Sequence, residues 1–235
     1  DLFVWFAVAN VFTEVMRMLN PQASIDVLMF WLAIVATMAF AITAVLAIAD
    51  RGVDFFGVVV LGVITAVGGG TVRDLILDVQ PFWVEDLVFV RVAVVSSLLA
   101  FVGRAFFTQP QVFSLMLYLD GLGAALFGIQ GAMKTYELDF GWPLAPLILG
   151  VITAIGGGIL RDVIAGRKNL LMSTELYAIP VALGCVLLMV GLRFYPDSAV
   201  QMLIACTIAT FLMRAAAIHW DLKVPAFLVT HSRAD

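Results

Sequence analysis

The sequence predicts an all-α integral membrane protein with seven transmembrane helices, built as two inverted three-helix repeats plus a seventh helix. Three observations predict it. Of 235 residues, 63% are hydrophobic and 13% charged, whereas a soluble domain is nearer half apolar and a quarter charged. Apolar runs of roughly 20 residues, the length that crosses a bilayer, recur along the chain. A phrase also occurs twice: Leu61–Gly70 reads LGVITAVGGG and Leu149–Gly158 reads LGVITAIGGG, each followed by two variable residues and Arg-Asp. Shared hydrophobicity does not produce such a match, so the chain is an internal duplication.

Residues 1–22 form the first segment. It is apolar but carries Asn10, Glu14 and Arg17, with Val4, Val8, Val11, Val15 and Met18 at helical spacing, and Pro21 stops it. This reads as a peripheral or interfacial helix, with an eighth span as the alternative. No secretory signal with a basic front end is read there. The first repeat occupies 26–104. Its spans are Asp26–Ala49, Phe55–Val79 (broken by Gly68, Gly69 and Gly70) and Leu87–Val102, which stops at Gly103 and Arg104. The second repeat occupies 113–195. It holds Phe113–Met133, a span from Pro143 broken by Gly156, Gly157 and Gly158 and ended by Gly166 to Asn169, and Glu175–Leu192. A seventh helix fills 198–220, and 221–235 is a polar cytoplasmic tail.

Three spans per copy is an odd number, so the second copy enters the membrane upside down. Transport proteins built this way carry their sites near mid-membrane on interrupted helices. Arg51, Arg104, Arg167, Lys168, Lys223 and Arg233 collect on one side, and Arg17, Arg91, Lys134 and Arg193 on the other. The richer side is cytoplasmic, which places the C-terminus inside and the N-terminus outside.

Net charge is −4 with no basic tract, so nucleic acid is not an expected partner. Cys185 and Cys206 lie inside apolar runs and read as small buried hydrophobes. His219 and His231 read as solvated, and no metal-ligand cluster occurs. No Ser-His-Asp, Cys-His or HExxH set and no phosphate loop is present, so an enzyme is not expected. No cofactor is expected beyond a transported K⁺ or Na⁺ and bound lipid.

The candidate site lies at the glycine triplets. Three glycines cost a helix about 1 kcal/mol each relative to alanine. Such a stretch is expected either to unwind and offer backbone carbonyls to a cation, or to let two helices pack closely. Arg73-Asp74 and Arg161-Asp162 follow one turn later. A charge there costs about 3 kcal/mol or more, so it needs a partner. Helix neighbours do not face each other. Each arginine is therefore expected to reach carbonyls or the aspartate of the opposite copy, either as an ion-pair lock or as part of a pore. Thr65 and Thr153 precede the glycines and either line a pathway or bond back to the preceding turn. Asp120 and Gln130 on the fourth span, with Thr37 and Thr43 on the first, suggest that these spans flank an aqueous route. Lys134 closes the fourth span and is positioned to snorkel.

A paired GGGxxRD, once per half on the second and fifth of seven spans, resembles the prokaryotic branch of the trimeric intracellular cation (TRIC) channels. The resemblance covers about Leu28 to Trp220. It implies a homotrimer in membrane lipid with one pore per subunit, permeable to monovalent cations, chiefly potassium. It implies pore kinks at Gly68–Gly70 and Gly156–Gly158, between spans one, two, four and five. Lys134 lacks the lysine-containing motif that eukaryotic members use for an anionic lipid. Some bacterial proteins with this motif are described as small amino-acid carriers, so a glycine-like transporter is the alternative reading.

Overall fold

In lipid every backbone N–H and C=O must be satisfied within the chain, which leaves helices as the solution for these apolar runs. The computed structural model describes residues 21–49, 51–103, 109–172 and 176–224. Most of the expected N-terminal segment, Arg104 and most of the tail, with His231, lie outside the described residues. Among the described residues the α-helices are α1 (Pro21–Ala47), α2 (Phe55–Ile76), the single turn α3 (Phe82–Glu85), α4 (Val88–Gly103), α5 (Gln109–Glu137), α6 (Leu144–Ile164), α7 (Ile179–Phe194) and α8 (Ala199–His219). Among the described residues α1 starts at Pro21, whose fixed φ and missing N–H suit a first helical turn.

Among the described residues, five helices are long and apolar enough to cross a membrane by length and composition: α1, α2, α5, α6 and the stretch containing α8. Helices α4 and α7 are apolar but shorter, 16 residues each. At 1.5 Å per residue they reach about 24 Å. They stand where the third and sixth spans are expected.

Both duplicated helices end in the same way. The Val79 N–H reaches the Asp74 carbonyl and the Asp78 N–H the Leu75 carbonyl; Arg167 and Gly166 repeat the pattern on Asp162 and Val163. Asp78 and Gly166 both take positive φ, 56° and 58°. This is the paired-bond helix stop that a left-handed residue allows. Glycine adopts it without strain, and aspartate is among the few other residues that tolerate it.

The inverted repeat is visible in the packing. Gly69 lies against the Thr153 carbonyl, and Gly157 lies against the Thr65 carbonyl. Rising numbers on α2 meet falling numbers on α6, so the helices cross in opposite senses, and exchanging the halves reproduces the contact. Phe40 of α1 and Phe127 of α5, equivalent positions of the two copies, stack on each other at 5.8 Å and 10°. Residues that meet their own equivalents mark the pseudo-two-fold axis. Helices α4 and α7 flank this four-helix centre, and α8 packs on α5 and α7.

Helices α2 and α6 run through their glycines without interruption. The expected loss of winding does not occur, because here the glycines serve close approach. A side chain at Gly69 or Gly157 would collide with a backbone oxygen.

Candidate functional site

The Arg-Asp pairs stand on opposite sides of the crossing, each at the far end of its helix. The helical rise places Arg73 and Arg161 about 18 Å apart along the axis. Contrary to expectation, each arginine bonds the aspartate beside it in sequence. Arg73 Nε donates to Asp74 Oδ1 at 2.8 Å, and Arg161 Nε to Asp162 Oδ1 at 2.8 Å. The long arginine chain folds back far enough to overcome the angular offset of helix neighbours. Burial supplies the incentive: Asp74 is fully buried and Asp162 nearly so. The second carboxylate oxygen of each aspartate ties down the loop that follows. Asp74 Oδ2 accepts the Phe82 N–H at 2.9 Å, and Asp162 Oδ2 accepts the Leu170 N–H at 3.3 Å. Each aspartate thus pins the loop eight residues downstream.

Beyond this shared frame the two ends differ. At the second-half end Arg161 is fully buried. Its Nη1 donates to Asp120 Oδ1 at 2.6 Å and to Thr43 Oγ1 at 3.0 Å. Spans one and four therefore do send polar groups inward, but here they close on an arginine. Tyr177 and Arg214 complete this knot. The Arg214 guanidinium lies 5.0 Å from the Tyr177 ring, and its Nη1 donates to the Leu176 carbonyl at 3.0 Å.

At the first-half end the ion cluster borders a cavity of about 350 Å³. Lys134 Nζ donates to Asp74 Oδ1 at 2.9 Å and keeps 25% of its side chain exposed, so it does not snorkel away from the site. The floor holds buried Arg73, Phe89, Phe127 and Gln130. Its mouth carries the exposed carboxyl residues Asp26, Glu85, Asp86 and Glu137. Gln130 Nε2 has no hydrogen-bond partner among the described residues.

Other sequence candidates resolve into structural roles. Thr65 and Thr153 bond back to the Leu61 and Leu149 carbonyls, the commoner of their two alternatives. Thr37 is buried on α1 without joining either cluster. Cys185 and Cys206 are free and buried, and His219 is exposed beside Trp220. Two members of the sealed knot escaped sequence reasoning. Arg214 did give a signal: an arginine deep in an apolar span is as costly as Arg73. Tyr177 gave none, standing on a short loop where an aromatic is unremarked.

The glycine transporter family model matches residues 30–105 and 117–193, one match per half. The UPF0126 inner membrane protein YadS of Escherichia coli K12 is 40% identical over 203 residues, covering 85% of this chain and 96% of the relative. The UPF0126 membrane protein YvgT of Bacillus subtilis is 35% identical over 71% of this chain and 81% of its own. Among solved structures, the TRIC trimeric intracellular cation channel orthologue from Rhodobacter sphaeroides superposes with a TM-score of 0.77 at 33% identity, covering 83% of this chain and 99% of that one. A further TRIC cation channel structure matches with a TM-score of 0.75 at 27% identity, over 86% and 98%. These relatives are named as membrane proteins and channels, and the chain is not an enzyme. With its doubled glycine-Arg-Asp core matched at this identity and coverage, the chain is a multi-pass membrane protein of the family that includes the UPF0126 proteins and the prokaryotic TRIC channel orthologues.

Proposed function

We propose that this chain is a monovalent-cation channel, permeable to potassium, assembled as a homotrimer with one conduit through each subunit. One observation carries the reading: four carboxyl residues ring the mouth of the cavity, while the cations at its floor are engaged by Asp74. Such a mouth concentrates small cations and repels anions. The conduit runs between the α2–α6 crossing and α1 with α5, and the triplets Gly68–Gly70 and Gly156–Gly158 are where the helices bend as it opens. Helices α4 and α7 complete seven spans, with the N-terminus outside the cell and the C-terminus in the cytoplasm. The trimer rests on the name of the Rhodobacter relative.

A small amino-acid carrier is the second reading. The family model's description favours it, as does a cavity open at one end with Arg73, Lys134 and Gln130 at its floor. Liposomes containing the purified protein separate the two when K⁺, Na⁺ and labelled glycine are assayed side by side. The channel reading expects ohmic K⁺ current without saturable glycine counterflow; counterflow without current replaces it with the carrier.

The mouth charges give a further expectation. Changing Glu85, Asp86 and Glu137 together to their amides lowers K⁺ conductance most at 0.01 M salt and little at 1 M, since the Debye length falls from about 30 Å to about 3 Å. An equal loss at both salts means that these carboxylates do not act through their field.

A further inference from the structure

The third glycine of each triplet is not part of the backbone contact between α2 and α6. A methyl group on Gly70 would lie 2.6 Å from Phe82 Cε1, and one on Gly158 would lie 2.7 Å from the Tyr177 hydroxyl. Each third glycine thus makes room for one aromatic ring. The two rings arrive by different routes. Phe82 opens the short helix α3, and its N–H is held by Asp74. Tyr177 stands just before α7, and Arg214 of α8 lies against its ring.

Both rings enter the gap between the α2–α6 crossing and α1 with α5. Phe82 touches Phe127 at 6.1 Å, and Phe127 stacks on Phe40 at the pseudo-two-fold axis. Tyr177 comes close to Asp120 of α5 at the far end of the gap, since both crowd the same face of Gly158. At the Phe82 end the constriction is apolar, with Phe89 and Phe127 around the ring, and stops ions by shedding water. At the Tyr177 end the side chain fills the gap beside Asp120 and Arg161, and rings that move aside open both ends to water.

We propose that Phe82 and Tyr177 are the paired plugs of the conduit, each seated on the third glycine of a triplet, and that Arg214 of the helix outside the repeats pins the second one. The ends are unequal. Phe82 is partly exposed and borders the open cavity, whereas Tyr177 is 3% exposed and sits in the sealed Arg161 knot. The Phe82 end is therefore already wetted up to its plug, and release of Tyr177 is the step that α8 controls. The inference rests on the pathway proposed above, but not on what passes through it.

The test uses thiol accessibility, which does not depend on the permeant. In full-length protein with Cys185→Ala and Cys206→Ala, reporters Thr153→Cys and Thr65→Cys stand just inside the Phe82 and Tyr177 ends; both threonines are 1% exposed. A water-soluble methanethiosulfonate reagent is applied in liposomes. Phe82→Ala is expected to speed modification at position 153, and Tyr177→Ala or Arg214→Leu at position 65, by about tenfold or more, because the rate follows the open population. Phe82→Tyr and Tyr177→Phe keep the rings and stay slow. Gly70→Ala and Gly158→Ala displace the rings without deleting them and reach the same result should a truncated variant fail to fold. Slow modification in folded variants of both kinds overturns the proposal. Fast modification without K⁺ current leaves the plugs standing and removes the channel reading instead.

Discussion

Gly69→Ala and Gly157→Ala are each expected to abolish the native packing of the two halves, while Gly103→Ala leaves it intact. At Gly69 a methyl group runs into the Thr153 carbonyl, and at Gly157 into the Thr65 carbonyl. A flexible side chain could rotate away, but these oxygens belong to the backbone of unbroken helices. The helices have to separate, and contacts along the crossing loosen with them. Overpacking a core costs about 1–3 kcal/mol and more where the neighbour cannot yield, so each substitution should reach or pass about 3 kcal/mol. Among the described residues nothing lies within 4 Å of a methyl at Gly103, and alanine there gains up to about 1 kcal/mol of helix propensity. Thermal unfolding in detergent measures all three. A Gly69→Ala protein as stable as Gly103→Ala would show that the crossing does not hold the fold.

The second large effect is an inequality between the two arginines. Arg161→Met strands Asp120 and Asp162 without their cation in a sealed interior. Removing one partner of a buried ion pair costs about 3–5 kcal/mol. Arg73→Met leaves Asp74 with Lys134 at 2.9 Å, next to an open cavity. Its cost should stay at about 1.5–3 kcal/mol, that of one charge-assisted hydrogen bond, and so below that of Arg161→Met. Adding Asp120→Asn to Arg161→Met should recover part of the loss, since it removes the stranded charge. Equal losses for the two arginines, measured by the same unfolding assay, would mean that the ends are equally sealed.

The sequence readings that held share a physical basis. Membrane residence follows from summed hydrophobicity, and the repeat follows from the text of Leu61–Gly70 and Leu149–Gly158; neither needs a partner in space. Thr65 and Thr153 were legible for a related reason, as a hydroxyl one turn from a backbone carbonyl shares that acceptor within its own helix. The glycines were readable only as two alternatives. A Gly-Gly-Gly run permits both unwinding and close contact, and the helix facing it decides which is used. The Arg-Asp pairs misled because the rule for helix neighbours describes solvated surfaces, whereas buried charges take the nearest countercharge.

By itself the sequence determined that this chain enters a membrane as helices, that it is doubled, and that each copy carries a buried Arg-Asp after three glycines. Tertiary structure alone decided that the helices stay wound, that Arg161 is sealed by Asp120 and Thr43 while Arg73 meets a cavity, and that Tyr177 and Arg214 belong to the site. The reason lies in the duplication. Two nearly identical segments have nearly identical local energetics, so what distinguishes the ends comes from residues far away in the chain, and chain order does not record which of them fold together.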